Sequence, residues 1–394
     1  MQVASEQEQR EQLAKCQSLL DQQAYTAAAT LLAALVPDLF HQGLTQTFLE
    51  LFNRLPHTEQ DVYPELICAA GDAWRLHNDW DAALFCYQRA QNLAEVSADQ
   101  AALGRALAKR ALVCWLRGDV EGALLFYNQA MEALPPANDG DATWEELRSG
   151  YALVLSSLGR LDEAEQLLQD QLRDYQRRAD AAGQRMMLHN LGMMIYLRRG
   201  DFQAAEAVLK EALQLAEKNQ QRFGEAYVLN SLAYTLNWQC RPTEALLLSL
   251  RAQALGEALG VPNILAFACI NQAQSFLQQG DIEAGECACE QARTLLHSAQ
   301  SSPLYCDVLL VQAQLQQSRC PALARETART ALATARLHHE HWMIGQCLLQ
   351  LADLEIELHE FEAAQAALAE AFAIFERYDD RFHLLRCHLL AARA

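Results

Sequence analysis

Apolar side chains return every third or fourth residue along most of this chain, and short polar breaks interrupt the runs they form. That spacing is helix periodicity, and the breaks cut the sequence into helical pairs. Gly118-Asp119, Gly159-Arg160, Gly200-Asp201 and Gly280-Asp281 are the plainest breaks. Glycine takes the positive φ that ends one helix, and an aspartate just after it caps the next. Each of these breaks is followed five residues later by a small residue that lets two helices approach. Ala83, Ala123, Ala164, Ala205, Ala245, Gly285, Ala324 and Ala364 form a series with spacings of 40, 41, 41, 40, 40, 39 and 40 residues. A fixed period over such a length is the mark of a repeat array.

The units share more than that one position. Residues 66–90 give Gly71, Trp74, the Asn78-Asp79 break, Ala83, Tyr87 and Ala90. Residues 111–135 give Ala111, Cys114, Gly118, Ala123, Tyr127, Ala130 and a closing Pro135. The order glycine, aromatic, glycine, alanine, aromatic, alanine and proline resembles the tetratricopeptide repeat, over roughly residues 60–375. The period departs from that family, at about 40 residues rather than about 34. Extra residues fall between hairpins, as in Asn92–Ala101 and Pro135–Ala142. The resemblance implies an all-α fold: a right-handed superhelical solenoid of helix-turn-helix hairpins with a concave groove. The expected organisation is N-terminal helices over residues 1–60, about eight hairpins over 61–378, and a C-terminal capping helix over 379–394.

Composition narrows the function classes. Half the residues are apolar and only nine are proline, as expected of a helix-rich globular chain. The net charge is −19, from 50 acidic and 31 basic residues, and only Lys15, Lys109, Lys210 and Lys218 are lysines. Such a chain is poorly suited to gripping a nucleic-acid backbone. No run of 18 apolar residues spans a membrane, and the polar opening MQVASEQEQREQ lacks the apolar centre of an export signal. The twelve cysteines are scattered, with no CxxC pair. They read as buried free thiols of a cytoplasmic protein. Cys287 and Cys289, two apart, should point to different sides of a helix.

The N-terminal segment carries a narrower resemblance. LLDQQAYTAAATLLAALVPDLFHQGLTQTFLELFNRLP, followed by TEQDVYPELICAAGDAW, sets an Ala/Leu-rich helix toward Gly43, then a short helix over Thr45–Leu55 closed by Pro56. This order is similar to the entry of the helical-repeat sensor region of MalT-type LuxR-family transcription regulators, over roughly residues 20–375. It implies a signal-sensing domain of a transcription regulator. The sequence has no GxxxxGK[ST] phosphate loop, and no helix-turn-helix follows the amphipathic RFHLLRCHLLAARA. The chain is then expected to be the sensor part of a larger regulator or a free-standing relative.

In the repeat family the first helix of each pair lines the groove. Read that way, residues 187–278 collect the groove chemistry. One first helix offers Asn190, Met194 and Arg198. The next offers Tyr227, Asn230, Tyr234 and Trp238. The third offers Phe267, Asn271, Gln274 and Gln278. Amides donate and accept hydrogen bonds to a backbone or hydroxyl, and aromatic faces give contact area at little entropic cost. The expected partner is a protein, peptide or small-molecule signal. The competing reading of each residue is packing against the next hairpin. Less distinctive polar sets are Glu65, Asp72 and Arg75 at one end and Gln346, Gln350, Asp353 and Glu357 at the other.

Two further clusters stand out in the sequence. His338, His339 and His341 cluster, but with no fourth ligand they read as surface histidines, and no metal is expected. Arg173, Arg177, Arg178, Arg185, Arg198 and Arg199 read as a solvated helix face or as an anion patch. No nucleophile elbow, HExxH or glycine-rich phosphate loop is present, so neither catalysis nor a cofactor is expected. A constitutive adaptor gripping a basic partner, or a scaffold that associates with itself, are the other uses of such an array.

Overall fold

The computed structural model describes residues 6–41, 44–77, 79–134, 142–296, 303–337 and 339–394. Every regular element among them is a helix. Gly43, Asn78, Pro135 and His338, cited above, lie outside the described residues. The chain divides into two compact units, residues 1–150 and 151–394.

The first unit holds α1 (Glu6–Asp21), α2 (Tyr25–His41), α3 (Thr45–Asn53), α4 (His57–Gln60), α5 (Pro64–Leu76), α6 (Trp80–Ser97), α7 (Gln100–Leu116) and α8 (Val120–Ala133), with the division falling inside α9 (Ala142–Ser157). The short helix expected at Thr45 is present. Its core gathers Leu32, Phe48, Phe52, Leu66 and Ile67. Hairpins pack closely where an aromatic ring lies on a glycine. A Cβ on Gly71 would sit 2.4 Å from the buried Tyr87 ring, whose hydroxyl donates to Asp72 at 2.7 Å.

The second unit continues with α10 (Leu161–Arg177), α11 (Ala181–Asn190), α12 (Phe202–Lys218), α13 (Arg222–Trp238), α14 (Pro242–Leu259), α15 (Pro262–Gln279), α16 (Ile282–Leu295), α17 (Pro303–Gln317), α18 (Pro321–Leu337), α19 (His341–Glu357), α20 (Phe361–Arg377) and α21 (Arg381–Ala391). Between α11 and α12 the chain widens into a π turn at Leu191–Tyr196.

The breaks fold as the sequence predicts. Gly118, Gly159, Gly200 and Gly280 have φ of 81°, 77°, 72° and 80°. Asp119, Asp201 and Asp281 cap the helices that follow, accepting from Gly122, Ala204 and Ala284 N–H at 2.9, 3.0 and 3.1 Å. Where a unit lacks the glycine the backbone is the same: Cys240 and His359 take φ of 57° and 62°. The periodic alanines from Ala83 to Ala364 are all fully buried. At Gly285 the side chain of Leu315 occupies the space a Cβ would need.

The end of the second unit returns to its beginning. The Tyr378 hydroxyl donates to the Ser157 carbonyl at 2.7 Å, and Arg198 pairs with Glu340 at 3.4 Å. Phe382 of α21 meets Phe202 edge to face, with centroids 4.9 Å apart. Beside it His383 is fully buried, stacked on Phe375 at 4.6 Å and edge-on to Trp238 at 5.1 Å. Asp380 holds His383 in place, accepting from its Nδ1 at 2.7 Å and from Trp342 Nε1 at 3.0 Å. Burial keeps the His383 pKa below its ordinary value, although Asp380 opposes it. Facing that carboxylate, Nδ1 carries the proton it donates. One apolar core consequently runs from Ala152 to Leu390, and Cys387 and Leu390 of α21 belong to it.

The remaining expectations sort by burial. All twelve cysteines are free, but Cys240, Cys287 and Cys320 are exposed. Cys240 is exposed because it sits at a helix break, and Cys287 because it faces away from the buried Cys289. The arginine group divides: Arg173, Arg177 and Arg178 are exposed, as expected of a solvated face, and the rest are more buried. Arg173 and Arg177 pair with Asp170 and Asp174, Arg199 pairs with Asp162 and Glu165, and Arg198 is buried. Among the described residues no helix is long and apolar enough to cross a membrane.

Candidate functional site

A cavity of about 300 Å³ opens in the second unit, walled by α13, α15, α17, α19 and α21. That is the lower end of ordinary ligand-pocket volumes. Its aromatic wall follows from helix geometry. Tyr234 and Trp238 are four apart on α13, so both rings face one way, with centroids 6.2 Å apart. Phe202 stacks behind Trp238 at 5.9 Å, and Phe267 props Tyr234 at 5.9 Å.

Amides form the floor, where they also tie α13 to α15. Asn230 Nδ2 donates to the Ile264 carbonyl and Asn237 Nδ2 to the Asn271 carbonyl, both at 3.0 Å. In return Asn271 Nδ2 donates to the Asn230 carbonyl at 2.9 Å and Gln278 Nε2 to the Asn237 carbonyl at 2.8 Å. These side chains add hydrogen bonds to main-chain carbonyls across the helix interface and so hold the two helices in register. Asn271 is left with a buried Oδ1 that no described group reaches. Gln314 Oε1 and Gln346 Nε2, also on the cavity wall, are likewise without partners. Buried polar atoms are rarely left so, and these three differ from the equally unpartnered Asn230 Oδ1 in belonging to residues that line a cavity.

Two charged side chains line the same space. Asp307 and Arg386 are both crowded by protein atoms yet open to the cavity. Burial pushes the Asp307 carboxyl up to about 7, helped by the like charge of Glu340. Burial holds the Arg386 guanidinium below its usual range, still cationic. Arg386 lies 6.0 Å from the centroid of the Trp238 ring.

The sequence-derived residues divide cleanly. Tyr234, Trp238, Asn271, Gln274 and Gln278 line the cavity. Asn190, Met194, Arg198, Tyr227 and Asn230 do not. Asn230 is fully buried in the α13–α15 bridge. Met194 lies in the π turn, where its carbonyl accepts from Ser156 Oγ at 2.6 Å. Arg198 is buried against Glu340, and Tyr227 packs on Phe223 at 5.0 Å. Asp307, Gln314 and Arg386 were not foreseen. A signal existed for the first two: they are polar residues on a helix whose other inward positions, Leu310 and Val311, are apolar. His341 begins α19, and among the described residues no three His, Cys, Asp or Glu side chains are placed to hold a metal.

The tetratricopeptide repeat family model matches residues 145–218. No curated protein matches the chain. A Rap protein complexed with competence and sporulation factor is 13% identical, with a TM-score of 0.64 over 94% of this chain and 99% of that one. The fold is a tetratricopeptide-like helical repeat. The Rap conjugation gene regulator of plasmid pLS20, in complex with the Phr* peptide, is 10% identical, with a TM-score of 0.62 over 93% of this chain and 95% of that one. Aspartyl phosphate phosphatase F from Bacillus subtilis is 12% identical, with a TM-score of 0.56 over 95% of each chain. At such identities the likeness is one of architecture, and activity has to be argued from the site. In this tetratricopeptide-like array the candidate for that site is the amide and aromatic cavity lined by residues between 234 and 386.

Proposed function

We propose that this protein is a non-catalytic, peptide- or protein-binding regulatory domain, and that a peptide segment occupies the cavity between α13 and α21. The observation that carries this reading is the set of orphaned amide atoms on Asn271, Gln314 and Gln346 beside the Tyr234 and Trp238 rings. Two are acceptors and one is a donor. A peptide unit brings one N–H and one C=O, and so answers both kinds. Apolar side chains of such a ligand would lie on the aromatic wall. The peptide named in the pLS20 regulator's complex supports the reading by analogy of fold. A sensor region of MalT-type regulators is a narrower form of the same proposal, resting on the order of residues 19–74. An adaptor that holds a partner's segment in the same place is the alternative.

The test is retention of peptide. The protein is incubated with a random hexapeptide pool with free ends, desalted, and examined by native mass spectrometry. Wild-type protein should retain a subset of the pool, and Gln314→Leu with Gln346→Leu should abolish retention while leaving the circular dichroism spectrum unchanged. No retained peptide, or equal retention by the double variant, would remove the proposal.

A further inference from the structure

The cavity is lined by an acidic and a basic side chain, Asp307 and Arg386, and neither makes an ion pair among the described residues. The carboxylates nearest Arg386, Asp353 and Asp380, act on it through space but direct their own contacts elsewhere. Asp353 pairs with Arg393 at 2.7 Å, and Asp380 accepts from Trp342 and His383. Asp307 has no cation within ion-pair distance among the described residues, and its charged neighbour Glu340 is an anion paired to Arg198. Asp307 and Arg386 line the same cavity but make no ion pair with each other. They stand at different levels of its aromatic wall: Arg386 lies by Trp238, and Asp307 acts on Tyr234, one helical turn away. Partly buried charges without partners are costly in a folded protein. Here the cost is offset when a ligand supplies the missing counter-charges.

The geometry points to a dipolar occupant: a ligand that places a carboxylate against Arg386 and an ammonium or guanidinium against Asp307, with at least one amide between them for Asn271, Gln314 and Gln346. This deepens the peptide reading above and rests on it. The cavity's volume of about 300 Å³ suits a short stretch rather than a long segment. The two charges can come from the free ends of a short peptide or from acidic and basic side chains within a longer one. Both share the same recognition chemistry.

The experiment uses the full chain and tri- to pentapeptide pools built only from Gly, Ala, Ser and Leu. One pool has free ends, one is C-terminally amidated, one N-acetylated and one blocked at both ends. A fifth pool, blocked at both ends, also contains Asp and Lys. Binding is read by competition against the best free-ended peptide. If the ends are the source, each single block weakens binding by at least about ten-fold. Arg386→Gln then loses the preference for acid over amide, and Asp307→Asn the preference for amine over acetyl. If side chains are the source, the fifth pool binds and the uncharged doubly blocked pool does not. Equal binding of the free-ended and uncharged doubly blocked pools overturns the dipolar inference and leaves the peptide reading standing. Binding by no pool overturns both. Because the decisive preference is measured on wild-type protein, a variant that fails to fold does not cloud the result.

Discussion

Tyr378 donates its hydroxyl proton to the carbonyl of Ser157, 2.7 Å away and 221 positions earlier in the chain. A fully buried aromatic residue at the end of α20 thereby fixes the last hairpin of the second unit onto the end of α9. Tyr378→Phe keeps the ring and removes the bond. It should cost about 1 kcal/mol and lower the melting midpoint of the second unit by a few degrees. An unchanged midpoint would mean that this closure contributes little.

Asp380 is the stronger anchor. Fully buried, it accepts from Trp342 Nε1, His383 Nδ1 and the His383 main-chain N–H. Asp380→Ala leaves those donors stranded and should cost about 3 kcal/mol or more. Asp380→Asn retains part of the acceptor set and should cost less. Chemical denaturation of the two variants ranks them, and equal losses would contradict the hydrogen-bond account.

The helix breaks offer a change in the opposite direction. His359 holds φ at 62° where other units use glycine. An L side chain there is strained, so His359→Gly should stabilise by about 0.5–1 kcal/mol, less whatever its edge contact with Phe361 contributes. Gly280→Ala, at φ 80° with open space around it, should destabilise by a similar amount. Parallel melts of both variants test the pair.

Asp307 gives a pH dependence of known sign. Its folded pKa of about 7 is above the ordinary 3.8. The stability linked to its protonation is complete below the ordinary value and is lost as pH rises through about 7. Asp307→Asn removes that loss. The variant should therefore match wild type near pH 4 and exceed it near pH 8.5, by up to a few kcal/mol at about 1.4 kcal/mol per pKa unit. A constant difference between the two pH values would show that the carboxyl is not held in this way.

Local features of the fold could be read from sequence because they are periodic. The positive φ of Gly118, Gly159, Gly200 and Gly280, the aspartate caps and the buried alanine series all follow from residue type at a repeated spacing. Cys240 and His359 show the limit of that reading. The break persists there because the flanking helices demand it, not because the residue favours it. The site was half legible. Tyr234, Trp238 and the amides of α15 share helix faces, and spacing reveals that much. It could not separate Asn230, buried between the helices away from the cavity, from Asn271, which lines it; each keeps a buried Oδ1 without a partner. Arg386 was beyond reach, since it enters the cavity only when the last helix meets α13, and contacts between residues so distant in sequence leave no period.

Because α21 is at once a wall of the pocket and part of the core that closes the unit, filling the pocket and seating the tail are one equilibrium viewed from two places. Whatever tightens the grip on an occupant must by reciprocity make the last eleven-residue helix slower to exchange its amide protons and harder for a protease to pull free. The α21 helix is therefore where occupancy becomes visible from outside.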